Sequence, residues 1–336
     1  MGSISTISLD AMSGDLGAEV VVRAANASLQ EHTDLKLILV GDQRELEGLV
    51  TRIVGDEPRL EIVHASEIVE MSDAPADAIR KKKNSSMRVA IDLVKSGDAR
   101  ACVSAGNTGA LMATAKFVLK MLPGIDRPAI IAELPSTGGS LHMLDLGANT
   151  ACTAEQLFQF SVMGSIVSAD IAGIDAPRIA LLNIGAEDTK GNHTVKDAAA
   201  MLNASALNYV GFIEGNNLFS AIADVVVTDG FSGNIALKAM EGMVGLMKHN
   251  MKQAFTRNWF AKLQALLARP VLSRLAVDTD SRNYNGATLV GLNGIVIKSH
   301  GSADSYAFQH AIQTAVVEVR DNVPQQIGSL LQREAA

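Results

Sequence analysis

The sequence predicts an α/β protein in which helices cover the faces of a parallel sheet. Short apolar segments rich in β-branched residues alternate with amphipathic segments along the 336 residues, and this alternation is typical of parallel sheets. Several of the predicted strands end in loops rich in Gly, Asn and Asp. We expect these loops to meet at one edge of the sheet, where they would form a shared active-site rim.

Each strand is predicted from a short apolar run that stops at polar or glycine residues. The predicted strands span residues 4–9, 35–40, 61–64, 101–104, 142–146, 178–184, 209–213, 224–228 and 295–298. The predicted helices span residues 20–29, 43–54, 110–119, 157–167 and 306–319, with another that begins at 235. Residues 286–294 are predicted to form a glycine-rich loop, and the residues after 329 are predicted to be frayed.

Residues 224–238 carry the clearest local chemical signal. A buried strand at 224–228 precedes a tight turn at 229–234, in which Gly230 and Gly233 are expected to take backbone angles closed to other residues. The helix from 235 would present its N–H groups and the positive end of its dipole to an anion such as phosphate. Its expected buried residues are Leu237, Met240, Val244 and Met247.

Asp229 ends the strand of this segment, a position at which open α/β sheets place their chemistry. A carboxylate beside an anion site acts as a base, a hydrogen-bond partner or a metal ligand. The equally weighted alternative is an aspartate that caps the turn.

The composition excludes several classes of protein. The formal net charge of −7 argues against a nucleic-acid binder, which usually carries a basic excess. Two cysteines, Cys102 and Cys152, cannot form a disulfide framework, so we expect a reducing cytoplasm. No apolar run approaches the roughly 18 residues that a membrane-spanning helix needs.

Familiar nucleotide, metal and hydrolase motifs are missing from the sequence. It contains no G-x-x-x-x-G-K-[ST], no G-x-G-x-x-G after a strand, no Cys-x-x-Cys and no Gly-x-Ser-x-Gly. Nucleotide hydrolysis, a dinucleotide cofactor, a bound metal and a serine hydrolase therefore have no support. Cys152 precedes a predicted helix, where a thiol can become a nucleophile, but a small buried residue is the favoured interpretation. The remaining signal is phosphate handling without nucleotide hydrolysis.

A basic cluster at 80–83, with Arg88 close by, interrupts the acidic average. Such a run is most often a solvated helix face. The alternative is a docking surface for an acidic partner.

Residues 242–277 contain six Lys or Arg and no Asp or Glu. Apolar residues recur at helical spacing up to Leu266, and Pro270 is predicted to interrupt the helix before a second apolar piece. A basic amphipathic hairpin of this kind fits an anionic membrane surface. A helix pair buried in a dimer interface explains the pattern equally well.

Nine segments together carry a resemblance to a known family. They are residues 9–12 (LDAM), 80–87 (RKKKNSSM), 104–112 (SAGNTGALM), 127–130 (RPAI), 145–149 (DLGAN), 182–192 (LNIGAEDTKGN), 211–216 (GFIEGN), 229–238 (DGFSGNIALK) and 286–301. With these segments in this order, the chain resembles the bacterial phosphate acyltransferase (PlsX) family from end to end. Four positions depart from the family pattern, where Gly, Asp, Asp and His are usual: Ser13, Asn84, Ala151 and Gln156.

The resemblance implies transfer of a fatty acyl group from acyl-carrier protein to inorganic phosphate. The acyl phosphate would serve phospholipid synthesis and be consumed by the membrane glycerol-3-phosphate acyltransferase PlsY. No cofactor is implied. The implied fold is the isocitrate/isopropylmalate-dehydrogenase-like three-layer α/β/α architecture shared with phosphotransacetylases, in a homodimer. Each chain would have two intertwined lobes, one at about 1–148 plus 286–336 and one at about 149–285, which includes a protruding hairpin at about 243–277.

Two turns resemble those of phosphotransacetylases and supply candidate catalytic residues. Asp229, Gly233 and Asn234 match an Asp-x-x-x-Gly-Asn turn, whereas Ser299-His300-Gly301 matches Ser-Arg-Gly with His300 in place of Arg. Ser299 and Asn234 would stabilise the oxyanion or the leaving thiolate, and Asp229 would position phosphate or accept its proton. The candidate phosphate cations are Lys190, His193, Lys298 and His300. The other expected substrate-binding residues are Asn107, Gly109, Asn149, Asn192, Gly230 and Gly233.

The resemblance also suggests partners. Because the carrier protein is acidic, its expected docking residues are Arg80, Lys81, Lys82, Lys83 and Arg88. Because the product serves a membrane enzyme, we expect a cytoplasmic protein that attaches peripherally to anionic membranes. The expected membrane-binding residues are Phe255, Trp259, Lys262, Leu263 and Leu266.

Two other functions are compatible with the sequence. One is a phosphotransacetylase-like enzyme that uses acyl-coenzyme A instead of a carrier protein. The other is a non-catalytic scaffold that recruits lipid-synthesis proteins to the membrane. A comparison of thioester donors separates the first from the carrier-dependent enzyme, and an inactive protein that still binds carrier and liposomes would indicate the second.

Overall fold

The computed structural model describes residues 5–187, 189–278 and 280–334, which form one sheet of eleven strands with helices on both faces. The strands are β1 Ser5–Asp10, β2 Leu35–Gly41, β3 Leu60–His64, β4 Ala101–Ser104, β5 Ala129–Ser136, β6 Gly139–Leu144, β7 Ile179–Leu182, β8 Tyr209–Ile213, β9 Val225–Val227, β10 Ala287–Val290 and β11 Ile295–Lys298. This arrangement confirms the predicted three-layer α/β/α fold.

The helices follow the strands much as the apolar periodicity predicts. They are α1 Ala18–Glu31, α2 Gln43–Ile53, α3 Pro75–Lys81, α4 Ser86–Ser96, α5 Thr108–Leu119, α6 Ala154–Ala172, α7 His193–Asn203, α8 Gly230–Thr256, α9 Trp259–Asp278, α10 Ser305–Asp321 and α11 Val323–Glu334. Short 3-10 turns lie at Gly215–Asn217 and Ser281–Tyr284. The frayed end predicted after 329 is wrong as far as the described residues go, because α11 continues to Glu334.

The sheet is mixed, so the prediction of a parallel sheet holds only for its two halves. The strand order is β3-β2-β1-β4-β11-β10-β5-β6-β9-β7-β8. Antiparallel pairs join β11 to β10, β10 to β5 and β5 to β6, whereas every other neighbouring pair is parallel. Strand β5 was not predicted, because its later residues Glu133 and Pro135 break the apolar run, and β10 was predicted as a loop because glycines flank it.

Three apolar clusters fill the space between the sheet and its helices. One lies under α1 and α10 on β1, β2, β4 and β11, another lies under α4 and α5, and the third lies around α6. The second cluster also contains residues of β7, β8 and β9, so it crosses the predicted boundary between lobes. The division into two lobes therefore stays a prediction.

Helix α8 begins five residues earlier than predicted. Asp229 is its N-cap and accepts a hydrogen bond from Ser232 N–H at 2.8 Å, so the turn predicted at 229–234 consists of the N-cap and the first residues of the helix. Gly230 and Gly233 have no positive φ. They are required by close approach, since a Cβ on Gly233 would lie 1.9 Å from the carbonyl oxygen of Asp145.

The far part of α8 is not buried. Leu237 and Met240 pack against the second apolar cluster, as predicted. Val244 and Met247 were expected to be buried as well, but 36% and 57% of their surfaces are exposed. The expectation fails because α8 continues beyond the sheet, and every residue from 241 to 250 is exposed.

The helical hairpin turns at 257–258 instead of at Pro270. Asn258 Oδ1 accepts from Ala261 N–H at 2.8 Å and starts α9, while Pro270 lies inside α9. The predicted apolar stripe is therefore divided, with Phe255 on α8 and Trp259 on α9. Within the described residues, no helix is both long enough and apolar enough to cross a membrane.

Candidate active site

The polar loops leave the sheet at two opposite rims. We call the loops that follow β1, β4 and β11 the upper rim, residues 11–17, 105–107 and 299–304. The loops that follow β6, β7 and β9 form the lower rim, whose described residues are 145–153, 183–187, 189–192 and 228–229. The expectation of a single shared edge is wrong, because three antiparallel pairs separate β11 from β6 and reverse the strand direction.

A buried carboxylate, Asp10, organises the upper rim. Ser104 Oγ donates to Asp10 Oδ2 at 2.6 Å and accepts from Gly106 N–H at 3.1 Å. Ser13 Oγ donates to the Asp10 carbonyl oxygen at 3.3 Å and accepts from Ala105 N–H at 3.2 Å. Burial raises the pKa of Asp10, and hydrogen bonds from the surrounding serines oppose this shift. Ser13, which departs from the family pattern, thus helps to hold the loop after β4.

Lys298 is the half-buried cation of the upper rim. Its Nζ donates to the carbonyl oxygen of Ala105 at 3.4 Å. Burial lowers the pKa of Lys298 to about 8, the carboxylates of Asp10 and Asp15 oppose the shift, and the charge of Lys238 adds to it. Lys238 acts here because α8 starts at the lower rim and runs back along the sheet. One helix therefore joins the two rims.

Ser299 is fully buried next to this lysine. Its N–H donates to the Ser104 carbonyl oxygen at 2.9 Å, and its Oγ accepts from Asn285 Nδ2 at 2.9 Å. Asn285 Oδ1 also accepts from His300 N–H at 2.9 Å. Within the described residues the Ser299 hydroxyl donates no hydrogen bond.

The other predicted residues of the upper rim lie nearer the surface. Asn107 caps α5 by accepting from Ala110 N–H at 3.0 Å, and its Nδ2 donates to the Met71 carbonyl oxygen at 2.6 Å. Gly109 lies in the first turn of α5, where N–H groups have no intrahelical partner. The His300 ring is exposed on the loop after β11. A ligand that enters from solvent would meet these groups first.

Asp145 is the structural centre of the lower rim. Its Oδ1 accepts from the N–H groups of Ile130, Gly147 and Ala148 at 2.9–3.1 Å. Its Oδ2 accepts from the backbone N–H and the Nδ2 of Asn149 at 2.7 and 2.9 Å. Asn149, predicted to bind substrate, is only 5% exposed, so the structure uses its amide to hold this loop.

Cys152 does not have the properties of an activated nucleophile. Burial raises the pKa of its thiol to about 11, and the charges of Asp145 and Asp229 contribute to the shift. At neutral pH the thiol is therefore protonated. This supports the sequence-based preference for a packing role.

Lys190, Asn192 and His193 lie together in the loop after β7 and at the start of α7, and all three are exposed. Asn192 caps α7 by accepting from Val195 N–H at 2.9 Å. Asn234 is likewise exposed, on the first turns of α8 beside Gly147. In the described part of the chain, no hydrogen bond or ion pair joins any of these four side chains to the upper rim. The predicted site residues are thus divided between two places.

The basic cluster borders the upper rim but is partly neutralised. Lys82 Nζ donates to the Ile68 carbonyl oxygen and to Asp73 Oδ2, and Arg88 contacts both carboxylate oxygens of its neighbour Asp92. Lys81 pairs with Asp77 at the surface. Arg80 and Lys83 are exposed. These two residues are the best placed of the five for a partner.

Three site residues were not predicted from the sequence. Asp10 and Asp145 had a detectable signal, since each is a lone carboxylate directly after an apolar run. Asn285 had none, because it precedes a segment that resembles a loop. Among the described residues, no group of three or more His, Cys, Asp or Glu side chains converges as a metal site would.

Comparison with known proteins places the chain among phosphate acyltransferases. It is 56% identical to the phosphate acyltransferase of Alkalilimnicola ehrlichii over 97% of this chain and 96% of that protein. Identity to the phosphate acyltransferase of Nitrosococcus oceani is 55% over the same shares of the two chains.

Solved structures share the fold at low sequence identity. A phosphotransacetylase from Streptococcus pyogenes matches with a TM-score of 0.64 and 19% identity over 94% of both chains. The phosphotransacetylase EutD from Staphylococcus aureus matches with a TM-score of 0.59 and 18% identity over 92% of this chain and 94% of its own. The family described as "Fatty acid synthesis protein" matches residues 5–326, and the chain belongs to this family, the PlsX family.

Proposed function

We propose that this protein transfers a fatty acyl group from acyl-carrier protein to inorganic phosphate, and that the acyl phosphate serves phospholipid synthesis. The observation that carries the proposal is the similarity to proteins named phosphate acyltransferase over 97% of the chain. The upper rim supports it, because the Nζ of the half-buried Lys298 contacts the Ala105 carbonyl oxygen, two residues before the N-cap of α5. A cation next to a helix N-terminus suits phosphate.

In the proposed reaction, Lys298 and the α5 N-terminus hold phosphate while one of its oxygens attacks the thioester carbonyl. The new C–O bond forms, the C–S bond breaks, and the electron pair leaves on the carrier thiolate, which takes up a proton. The Ser299 hydroxyl donates to the oxyanion. Because Ser299 is fully buried, the side chains that cover it have to move aside to admit the carbonyl, while its contact with Asn285 is kept.

The roles predicted for the lower rim need a separate test. Asp229 and Lys190 contribute only if the lower rim reaches the same substrate, and Asp229 already caps α8. The test is the turnover of the Asp229→Asn and Lys190→Ala variants, measured in folded protein. Near-normal turnover of both variants would assign the chemistry to the upper rim alone.

The decisive experiment for the function is acyl phosphate formation from palmitoyl-carrier protein and inorganic phosphate, trapped with hydroxylamine. A hydroxamate that depends on phosphate and on the carrier thioester supports the proposal. Product from the coenzyme A thioester alone would indicate the phosphotransacetylase-like enzyme. No product with either donor, together with binding of carrier and liposomes, would indicate the scaffold.

Charge reversal of the exposed basic residues tests the carrier dock. We expect Arg80→Glu with Lys83→Glu to raise the KM for acyl-carrier protein about tenfold and to leave kcat within twofold. Charges at the edge of a protein–protein interface mainly change the rate at which the two proteins associate. The matched control is Arg44→Glu with Lys95→Glu, two exposed cations on α2 and α4. Equal KM values for both double variants would mean that the basic cluster is a solvated helix face and not a docking surface.

The exposed apolar residues of the hairpin support membrane attachment. Trp259 is 77% exposed and Leu266 is 62% exposed, and the flanking charges are basic. We expect Trp259→Glu with Leu263→Glu to abolish sedimentation with anionic liposomes, whereas Ile222→Glu, at another exposed apolar residue, does not. At the membrane surface, the acyl phosphate would reach the membrane glycerol-3-phosphate acyltransferase PlsY.

The competing interpretation assigns the same apolar residues to a homodimer interface. If the Trp259→Glu, Leu263→Glu variant sediments normally but becomes monomeric by light scattering, the hairpin is a dimer contact and not a membrane anchor.

A further inference from the structure

Asn285 connects three elements at the upper rim. It lies between the 3-10 turn Ser281–Tyr284 and β10. Its Oδ1 accepts from His300 N–H at 2.9 Å, and its Nδ2 donates to the Ala307 carbonyl oxygen at 2.7 Å and to Ser299 Oγ at 2.9 Å. The amide thus uses its acceptor and both of its donor hydrogens.

The orientation of this amide follows from its partners. A backbone N–H such as that of His300 can only donate, and a backbone carbonyl such as that of Ala307 can only accept. These two contacts distinguish the oxygen from the nitrogen of Asn285, an assignment that otherwise has to be inferred. The Asn285 nitrogen must therefore donate to Ser299, whose hydroxyl is the acceptor.

The same geometry determines what remains for the hydroxyl of Ser299. A serine hydroxyl has one proton and two acceptor lone pairs, and it rotates to suit its neighbours. Asn285 occupies a lone pair, and the hydroxyl donates to no described residue. Its proton is left to point away from Asn285.

We propose that Asn285 is a positioning residue that holds the Ser299 hydroxyl as a hydrogen-bond donor for the oxyanion. This inference rests on the proposed function of the upper rim. A donor aimed in advance costs no reorganisation when charge develops on the carbonyl oxygen. Without Asn285 the hydroxyl rotates freely, and that advantage is lost.

Replacement of Asn285 by alanine tests this role against a close control. We expect Asn285→Ala to lower kcat about tenfold and to leave the KM for acyl-carrier protein unchanged, because only the transition state uses the aimed proton. Asn283→Ala is the control. The Asn283 amide contacts the Val277 carbonyl oxygen and the Tyr306 hydroxyl, so its kcat should stay within twofold of wild type.

A double-mutant cycle distinguishes positioning from a general structural effect. We expect Asn285→Ala to cause no further loss of kcat in a Ser299→Ala background, because the group on which it acts is gone. The same tenfold loss in both backgrounds would overturn the inference. Unchanged kcat of the single Asn285→Ala variant would also overturn it. If Asn285→Ala does not fold, Asn285→Asp, which keeps the acceptor for His300, takes its place in the cycle.

The failure of this inference can be told from the failure of the proposed function. If wild-type protein forms no acyl phosphate, the proposed function fails before any variant is compared. If wild type is active and Ser299→Ala has normal kcat, the reaction stands but Ser299 is not part of it. The positioning role of Asn285 then fails with Ser299.

Discussion

Gly233→Ala is expected to destabilise the fold by at least about 3 kcal/mol and to yield little folded protein. A Cβ on Gly233 would lie 1.9 Å from the Asp145 carbonyl oxygen and 3.0 Å from the Asp145 carbonyl carbon. Both atoms belong to the backbone of a loop held by five hydrogen bonds to the Asp145 carboxylate. Movement of either the loop or α8 to make room for the methyl group would therefore cost free energy. Urea and thermal unfolding, followed by circular dichroism, measure the loss.

The same helix supplies a matched control. Gly245 lies in the exposed part of α8, and a Cβ there would meet nothing within 4 Å. Gly245→Ala should therefore raise stability by about 0.5–1 kcal/mol, since alanine favours a helix interior over glycine. Equal midpoints for Gly233→Ala and wild type would show that α8 does not approach Asp145 so closely.

The glycine pair also shows what sequence reasoning can recover. A strand, two glycines and a following helix were visible in residues 224–238, and the structure contains all three. The reason for the glycines was not visible, because it is a contact with residues 145–149, about eighty positions away along the chain. A local sequence pattern can indicate that a glycine provides unusual backbone angles. It cannot indicate that another part of the chain packs closely against that glycine, because this depends on the tertiary structure.

The candidate site was predictable in its parts but not in its grouping. Lys298, Ser299 and His300 were identified as one segment, and they lie together at the upper rim, where the first two contact the backbone of residues 104–105. Asp229 was expected at the same edge and lies at the opposite rim. The difference arises from β10 and β5, which were not predicted from the sequence. They lie between β11 and β6 and create three antiparallel pairs, an odd number, so β6 runs opposite to β11.

Lys298→Met is expected to lower kcat/KM for phosphate about a hundredfold or more, because it removes the half-buried cation proposed to hold the anion. The variant keeps the length of the side chain, so packing changes little. Lys95→Met, at an exposed lysine on α4, should behave as wild type. Similar thermal unfolding midpoints of wild type, Lys298→Met and Lys95→Met would show that a difference in activity does not result from a difference in folding.

The pH dependence of phosphate use provides the sharper test of Lys298. Burial lowers its pKa to about 8, so the lysine is charged below that pH and loses its proton as the pH rises through it. Phosphate is mostly a dianion by then, so its own titration does not weaken binding. We expect the KM for phosphate to be steady near neutral pH and to rise about tenfold per unit well above pH 8.

Lys238 offers a second test, because removing its charge should shift the pH at which the KM for phosphate rises. A lysine at position 298 with only a structural role would not produce such a shift. Its positive charge lowers the pKa of Lys298, so Lys238→Met should raise that pKa and move the increase in KM to higher pH. Lys298→Met should show a high KM with no such increase at all. A wild-type KM that is flat up to about pH 9.5, or an identical increase in Lys298→Met, would mean that another group holds the phosphate. A shift with Lys238→Met would establish that α8, which begins at the lower rim, acts electrostatically on the upper one.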